Sequence, residues 1–370
     1  MKVLSIFGTR PEAIKMAPVV KELNRHRGQF TSVVCVTAQH RQMLDQVLPL
    51  FDIAPDYDLN IMQEDQTLAQ VTANALTRLD LVLQSEKPGW VLTQGDTTTA
   101  MAGALAAFYH RIPVGHVEAG LRTWDKYQPF PEEINRKIAD AVCDLHFAPT
   151  GTARENLLRE GVNDASIVVT GNTVIDALLD VAGRDYDWNE GELAAVPSDK
   201  RLILVTAHRR ENFGEPLRQI CAAIREIVAS YRDVHVVYPV HLNPNVRGAV
   251  YEQLAGVAGI TLLDPLEYLP LVHLMKASCL VLTDSGGLQE EAPSLGKPVL
   301  VLREVTERPE GVAAGTVKIA GTDRRRIIAE TARLLEDRAE YERMSRAINP
   351  YGDGHASERI IASLKSRSGD

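Results

Sequence analysis

CLVLTDSGGLQEEAPSLGKPVLVL, residues 279–302, holds a complete strand–helix–strand unit. Cys279–Thr283 and Pro298–Leu302 are short apolar runs with no polar alternation, the mark of strands buried on both faces of a parallel sheet. Between them Ser285, Gly286 and Gly287 open a helix whose bare backbone N–H groups suit a phosphate. Glu291 follows about one helical turn later, within reach of a ribose diol. Lys297 precedes a proline and the glycine spacing is wrong, so this is no Walker motif. Arg308 and Glu310 follow the second strand.

The same grammar runs outward in both directions. Lys2–Phe7, Ser32–Thr37, Trp90–Thr93, Ile112–Val117, Leu202–Thr206 and Val234–Pro239 read as further buried parallel strands. Amphipathic stretches separate them. Leu217, Ile220, Cys221, Ile224, Ile227 and Val228 recur at helical spacing, as do Leu68, Val71, Ala75, Leu79, Val82 and Leu83. This alternation predicts an α/β fold of doubly wound, Rossmann-like units. A chain of 370 residues exceeds the roughly 250–300 that one core sustains, so two domains are expected. The polar stretch between Leu179 and Lys200 is the candidate boundary. It gives an N-terminal domain over 1–180, a second over 200–350, and a tail over 351–370 that ends in a short helix.

Composition narrows the function classes. Hydrophobic residues make up 45% and charged residues 24%, ordinary values for a chain with its own core. A net charge of -9 argues against a general nucleic-acid binder. It still permits a local Arg and Lys cluster around a small anion. Cys35, Cys143, Cys221 and Cys279 form no CxxC pair and read as buried free thiols. No HExxH or paired CxxC pattern is present, so neither a metal nor another cofactor is expected. No apolar run approaches the roughly 20 residues that span a bilayer. The first residues enter a strand without a signal-peptide pattern, so a soluble cytoplasmic protein is expected.

In open α/β sheets, ligands bind beyond the carboxyl ends of strands, so residues there are the site candidates. After the first strand, Gly8 permits a tight turn, Pro11 suits a first helical turn, and Arg10 and Lys15 flank a helix start that favours phosphate. No GxGxxG is present, which weighs against a dinucleotide dehydrogenase. Gln39, His40, Arg41 and Gln42 follow the second strand, where taken alone they read first as solvated helix-start residues. Asp96 follows Gly95 and is either an N-cap or a carboxylate aimed at a ligand. Glu118 ends an apolar strand, a costly position for a carboxylate unless paired or used. Glu132 and Glu133 open a helix, where they complement its dipole or serve chemistry. His208, Arg209 and Arg210 stand together after a strand and suit a diphosphate. His241 holds the equivalent place after the next strand, where a lone histidine is more often structural.

Taken together, FGTRPEAIKMAP (7–18), AQHRQMLDQ (38–46), GDTTT (95–99), GHVEAGLRT (115–123), PEEINR (131–136), HRREN (208–212), YPVHLNPN (238–245), DSGGLQEEAPSLGKPVLVLR (284–303) and TERPE (306–310) resemble the non-hydrolysing UDP-N-acetylglucosamine 2-epimerases of bacteria. The resemblance covers essentially the whole chain; residues 121–130 fit it less regularly. It implies a GT-B-like pair of domains facing across a cleft, a homodimer, and a C-terminal helix packed back on the first domain. Arg10, Lys15, His208, Ser285, Gly286, Gly287, Glu291 and Arg308 match the substrate-contacting positions. Asp96, Glu118, Glu132 and His208 match the catalytic ones. Gln39, Gln42, Glu132, Arg209 and His241 match the site at which some members bind a second UDP-N-acetylglucosamine as activator. The implied reaction is reversible C2 epimerisation to UDP-N-acetylmannosamine through 2-acetamidoglucal, feeding cell-envelope polysaccharide synthesis. A GT-B UDP-sugar glycosyltransferase and a hydrolysing epimerase are the alternatives.

Overall fold

The computed structural model describes residues 1–39, 41–63 and 65–367, with the backbone alone for residues 41–43. Two compact units account for the chain, one formed by Met1–Ala177 with Tyr351–Asp370 and the other by Leu178–Pro350. The expected boundary segment, 179–200, thus belongs to the second unit.

The first unit is built on a seven-stranded parallel sheet. Its strands are β1 (Lys2–Phe7), β2 (Thr31–Val36), β3 (Tyr57–Asp58), β4 (Trp90–Gln94), β5 (Val114–Val117), β6 (Leu145–Ala148) and β7 (Ile167–Val169). They lie in the order β3-β2-β1-β4-β5-β6-β7. The direction of succession reverses between β1 and β4, which opens a ligand crevice at their carboxyl ends. Residues 90–94 and 114–117 are wholly buried, as strands covered by helices on both faces must be. The covering helix Thr98–Tyr109 is rich in alanine and buried on nearly every side. Small side chains let it lie close to the sheet: a Cβ on Gly103 would stand 3.0 Å from the Thr93 methyl. The helix Ala356–Ser366 lies on the helix Arg10–Arg25 and buries Ile360, Ile361 and Leu364. Its free N–H groups are met from elsewhere in the chain. Asp176 Oδ1 accepts from the Ser357 N–H (2.8 Å) and hydroxyl (2.6 Å), and Oδ2 accepts from the Ala356 N–H (3.2 Å).

The second unit repeats the plan with six parallel strands, β8 (Arg201–Thr206), β9 (Val234–Pro239), β10 (Ile260–Leu263), β11 (Ser278–Thr283), β12 (Val299–Val301) and β13 (Val317–Ile319). Their order is β10-β9-β8-β11-β12-β13, with the reversal between β8 and β11. The helix Glu215–Ser230 buries Leu217, Ile220, Cys221, Ile224, Ile227 and Val228, the stripe its periodicity predicts. These side chains meet Ile203, Val236, Tyr238 and Leu282 from the sheet in one continuous core.

All four cysteines are free thiols. Cys35 and Cys221 are buried, whereas Cys143 and Cys279 keep partial exposure, short of the full burial expected for them. Among the described residues no helix is long and apolar enough to cross a membrane.

Candidate active site

In the first unit the candidate residues gather beyond β1, β4 and β5. Thr9 caps the helix Arg10–Arg25, with Glu12 completing a capping box. The Glu12 Oε2 accepts from the backbone N–H groups of Gly8 (3.1 Å) and Thr9 (2.8 Å), while Oε1 accepts from the Thr97 hydroxyl (2.6 Å). The amides expected to receive a phosphate are therefore occupied by the chain's own carboxylate. Burial lifts the Glu12 carboxyl to about 7, outweighing the hydrogen bonds from Thr97, Thr9 and Gly8 that favour its charge. The glycine at position 8 is needed for space. A Cβ there would stand 2.1 Å from Thr37 Oγ1 and 2.6 Å from Thr99 Oγ1, two hydroxyls that bond each other at 2.8 Å.

Arg10 is the half-buried first residue of its helix. Lys15 reaches across to Glu118, with Nζ 2.5 Å from Oε2. Asn172 Nδ2 donates to the same oxygen at 2.9 Å. Glu118 takes a φ of 69°, a left-handed conformation that few residues other than glycine adopt. Its burial is offset by pairing, which answers the cost its position raised. Gln39 is held at the neighbouring turn by the Thr99 hydroxyl at 3.0 Å. His40, and the side chains of Arg41 and Gln42, lie outside the described residues.

Asp96 is not the cap of the following helix, because Thr97 takes that role by accepting from the Ala100 N–H. Its side chain is free to serve otherwise, and Oδ2 receives Arg136 Nε (3.0 Å) and Nη2 (2.5 Å). The two glutamates of the PEE run have different fates. Glu133 is fully buried, accepts from the N–H groups of Thr123 and Trp124 at 3.1 and 3.0 Å, and bonds Arg136 at 3.1 Å. It thereby shapes the 123–131 loop. Glu132 leaves Oε2 buried with no hydrogen-bond partner, an acceptor not used by the chain itself.

In the second unit the fixed point is Asp284, fully buried at the end of β11. Its Oδ2 accepts from the N–H groups of His208 and Arg209 (both 2.8 Å) and from Asn212 Nδ2 (2.9 Å). This folds the HRREN turn against the sheet. The His208 ring stacks on His241, with centroids 5.2 Å apart and planes 9° off parallel. Burial, with His241 and Arg209 nearby, pulls His208 below its ordinary pKa against the opposite pull of Asp284, which favours a neutral ring at neutral pH. The helix Gly286–Ser294 starts at Ser285 without any side-chain cap. A Cβ on Gly286 would lie 3.7 Å from an Arg209 nitrogen and 3.8 Å from the Arg308 guanidinium. Two guanidinium groups thus flank an uncapped helix start, a ready anion site. Arg308 is oriented by Glu290. Glu291 is buried and takes the Tyr268 hydroxyl at 2.8 Å. His241 Nδ1 accepts from the Asn243 N–H at 3.0 Å. Glu310 lies in the first turn of the helix Pro309–Ala314.

Glu12 and His116 are among the residues outside the sequence candidates. Glu12 was legible as the fourth residue of TRPE, a Thr-x-x-Glu capping box. His116, inside β5 and bonded to Asp140, gave only the weak signal of a polar residue in an apolar strand.

A profile described as UDP-N-acetylglucosamine 2-epimerase matches residues 21–365. The chain belongs to the UDP-N-acetylglucosamine 2-epimerase family. The UDP-N-acetylglucosamine 2-epimerase of Escherichia coli K12 is 58% identical over 372 residues, covering 99% of each chain. Among solved structures, the epimerase from Neisseria meningitidis bound to UDP-GlcNAc matches at 51% identity and a TM-score of 0.89, over 99% of this chain and 100% of that one. The UDP-GlcNAc 2-epimerase of Methanocaldococcus jannaschii, in complex with UDP-GlcNAc and UDP, matches at 35% identity and a TM-score of 0.79, over the same shares. Epimerases of this family thus share both doubly wound units, and the Neisseria and Methanocaldococcus relatives hold nucleotide sugar.

Proposed function

We propose that this chain interconverts UDP-N-acetylglucosamine and UDP-N-acetylmannosamine by eliminating and re-adding UDP, without hydrolysis. The observation that carries the reading is the uncapped helix start at Ser285–Gly287, flanked by Arg209 and Arg308. It is a receptor for a diphosphate leaving group, and Asp96, Glu118 and Glu132 are differently partnered carboxylates for proton transfer.

Direct removal of the C2 proton would leave a carbanion that nothing stabilises. Breaking the C1–O bond first sends its electron pair to UDP and leaves an oxocarbenium-like centre, which acidifies C2–H. A carboxylate takes that proton, and the C–H electrons form the C1–C2 double bond of 2-acetamidoglucal. Return of a proton to the opposite face of C2 and attack by UDP at C1 complete the inversion. Arg308, Ser285, the Gly286 and Gly287 amides and His208 stabilise the departing diphosphate, Glu291 takes the ribose diol, and Arg10 and Lys15 complete the substrate contacts. Asp96, Glu118 and Glu132 form the acid/base set. Lys15 and Arg136 hold Glu118 and Asp96 in position, and the spare oxygen of Glu132 is available to accept. The active form is a homodimer, and a second UDP-N-acetylglucosamine activates it through Gln39, Gln42, Glu132, Arg209 and His241. The product serves cell-envelope polysaccharide synthesis in the cytoplasm.

Proton NMR of the enzyme with UDP-N-acetylglucosamine alone in heavy water tests the reading. The manno isomer should appear, with deuterium at C2 of both sugars and no lasting free N-acetylmannosamine. Accumulating free sugar would make the enzyme hydrolytic, and inertness until an acceptor is added would make it a transferase.

A further inference from the structure

His116 is fully buried within β5, with both ring nitrogens engaged. Nδ1 lies 2.5 Å from Asp140 Oδ1, and Nε2 lies 2.7 Å from the Gly95 carbonyl oxygen. A carbonyl oxygen only accepts, so Nε2 carries a hydrogen. Asp140 is an ionised carboxylate, because its Oδ2 receives Arg122 Nη2 at 2.6 Å and the Gly120 N–H at 3.4 Å. Its Oδ1 therefore also accepts, so Nδ1 carries a hydrogen too. A neutral ring has one N–H and would turn a lone pair toward one of these oxygens. Bridging both requires the imidazolium.

The other charged groups around the ring agree. Arg122 continues to Glu160 (2.6 Å), and Glu160 to Lys137 (3.3 Å). His146, opposite His116 on β6, donates Nε2 to the Asp140 carbonyl oxygen at 2.9 Å and leaves Nδ1 without a partner. Burial alone would lower the His116 pKa, but the Asp140 charge and the two hydrogen bonds raise it overall. Despite its own burial, Asp140 is held down to about 2 by His116 and Arg122.

The position of this buried cation gives it a task. Gly95 immediately precedes Asp96 and takes a φ of 74°. Both of its backbone polar groups are held by β5, the N–H by Val117 O at 2.9 Å and the carbonyl by His116. Asp140 also holds the Gly120 N–H, two residues after Glu118, and belongs to the helix Glu132–Val142 that begins at Glu132. One ion cluster therefore anchors the backbone around all three carboxylates. We propose that His116 is a permanently protonated positioning residue, whose charge fixes the turns that aim Asp96 and Glu118. The proposal rests on the acid/base reading above, and on no contact between His116 and the substrate.

The test has two arms. In the intact protein labelled with ring-15N histidine, one histidine should keep both nitrogens protonated through pH 8.5. Neutral spectra for every histidine at that pH would overturn the proposal, whatever the activity. In the second arm, His116→Phe and His116→Gln should each lower kcat about 100-fold, the scale of a misplacement near 1 Å, while KM for UDP-N-acetylglucosamine stays within about threefold. A folded His116→Phe protein with kcat close to the parent's, or a loss confined to KM, would also overturn it. If Asp96→Asn, Glu118→Gln and Glu132→Gln all turned over normally, the acid/base reading would fall, while the spectra would still report the ring's charge.

Discussion

Replacing Glu12 by Gln should reverse an otherwise hidden pH liability in the first unit. The glutamine is nearly isosteric: its oxygen can accept from the Gly8 and Thr9 N–H groups, and its amide nitrogen can face the Thr97 hydroxyl. Only the titration is lost. In the folded protein burial raises the Glu12 carboxyl from 4.5 to about 7, so between those values the folded chain holds a proton that the unfolded chain has released. Stability then falls with rising pH. The contribution is fully present below about pH 4.5 and is lost as pH rises through about 7. At about 1.4 kcal/mol per pH unit, the raised carboxyl amounts to about 3 kcal/mol. Glu12 is almost inaccessible to solvent, at 2% exposure, so this figure needs little discount for screening. Urea unfolding of both proteins at pH 5, 6, 7 and 8, followed by circular dichroism, isolates the effect as a difference between two curves. The variant should gain about 3 kcal/mol on the parent from pH 5 to pH 8, mostly below pH 7.5. A difference that stays flat across the range would refute the claim that burial outweighs these hydrogen bonds.

Other expectations are simpler to state. Asp96→Asn, Glu118→Gln and Glu132→Gln should each slow epimerisation by about 100-fold or more, the usual loss for an acid/base group, as read by NMR under saturating substrate. Gly8→Ala should cost about 1–3 kcal/mol from overpacking, seen as a lower urea midpoint, because its methyl must displace the Thr37–Thr99 hydroxyl pair. Asp284→Ala strands the N–H groups of His208 and Arg209 and the Asn212 amide. A destabilisation of about 3 kcal/mol is expected from these lost acceptors, along with calorimetric UDP binding weakened about tenfold or more; unchanged UDP affinity would detach the HRREN turn from the nucleotide.

The parts of the fold that declared themselves in the residues are its central strands. Val234–Pro239 and Lys2–Phe7 coincide with β9 and β1, because a strand covered on both faces must be apolar throughout. The strands toward the sheet edges, β3, β10 and β13, are short and only partly buried, so they carry no sustained apolar run. At the site, strand-end position alone singled out Asp96 and Glu118. It could not separate Glu132 from Glu133, since both look like acids at a helix start. That difference arises from a loop ten residues away in sequence, whose amides Glu133 holds. Nor could local spacing expose the His116–Asp140 contact, which spans 24 residues and two elements.

The clasp between Asp176 and Ser357 sets an order of assembly. The segment that completes the first unit is translated after the whole of the second. A nascent chain must therefore hold the apolar side of the helix Arg10–Arg25 uncovered while some 170 intervening residues emerge, at about 5–20 residues per second. At its end the second unit holds all of its residues while the first still lacks its last helix, so the amino-terminal half keeps apolar surface exposed for longer.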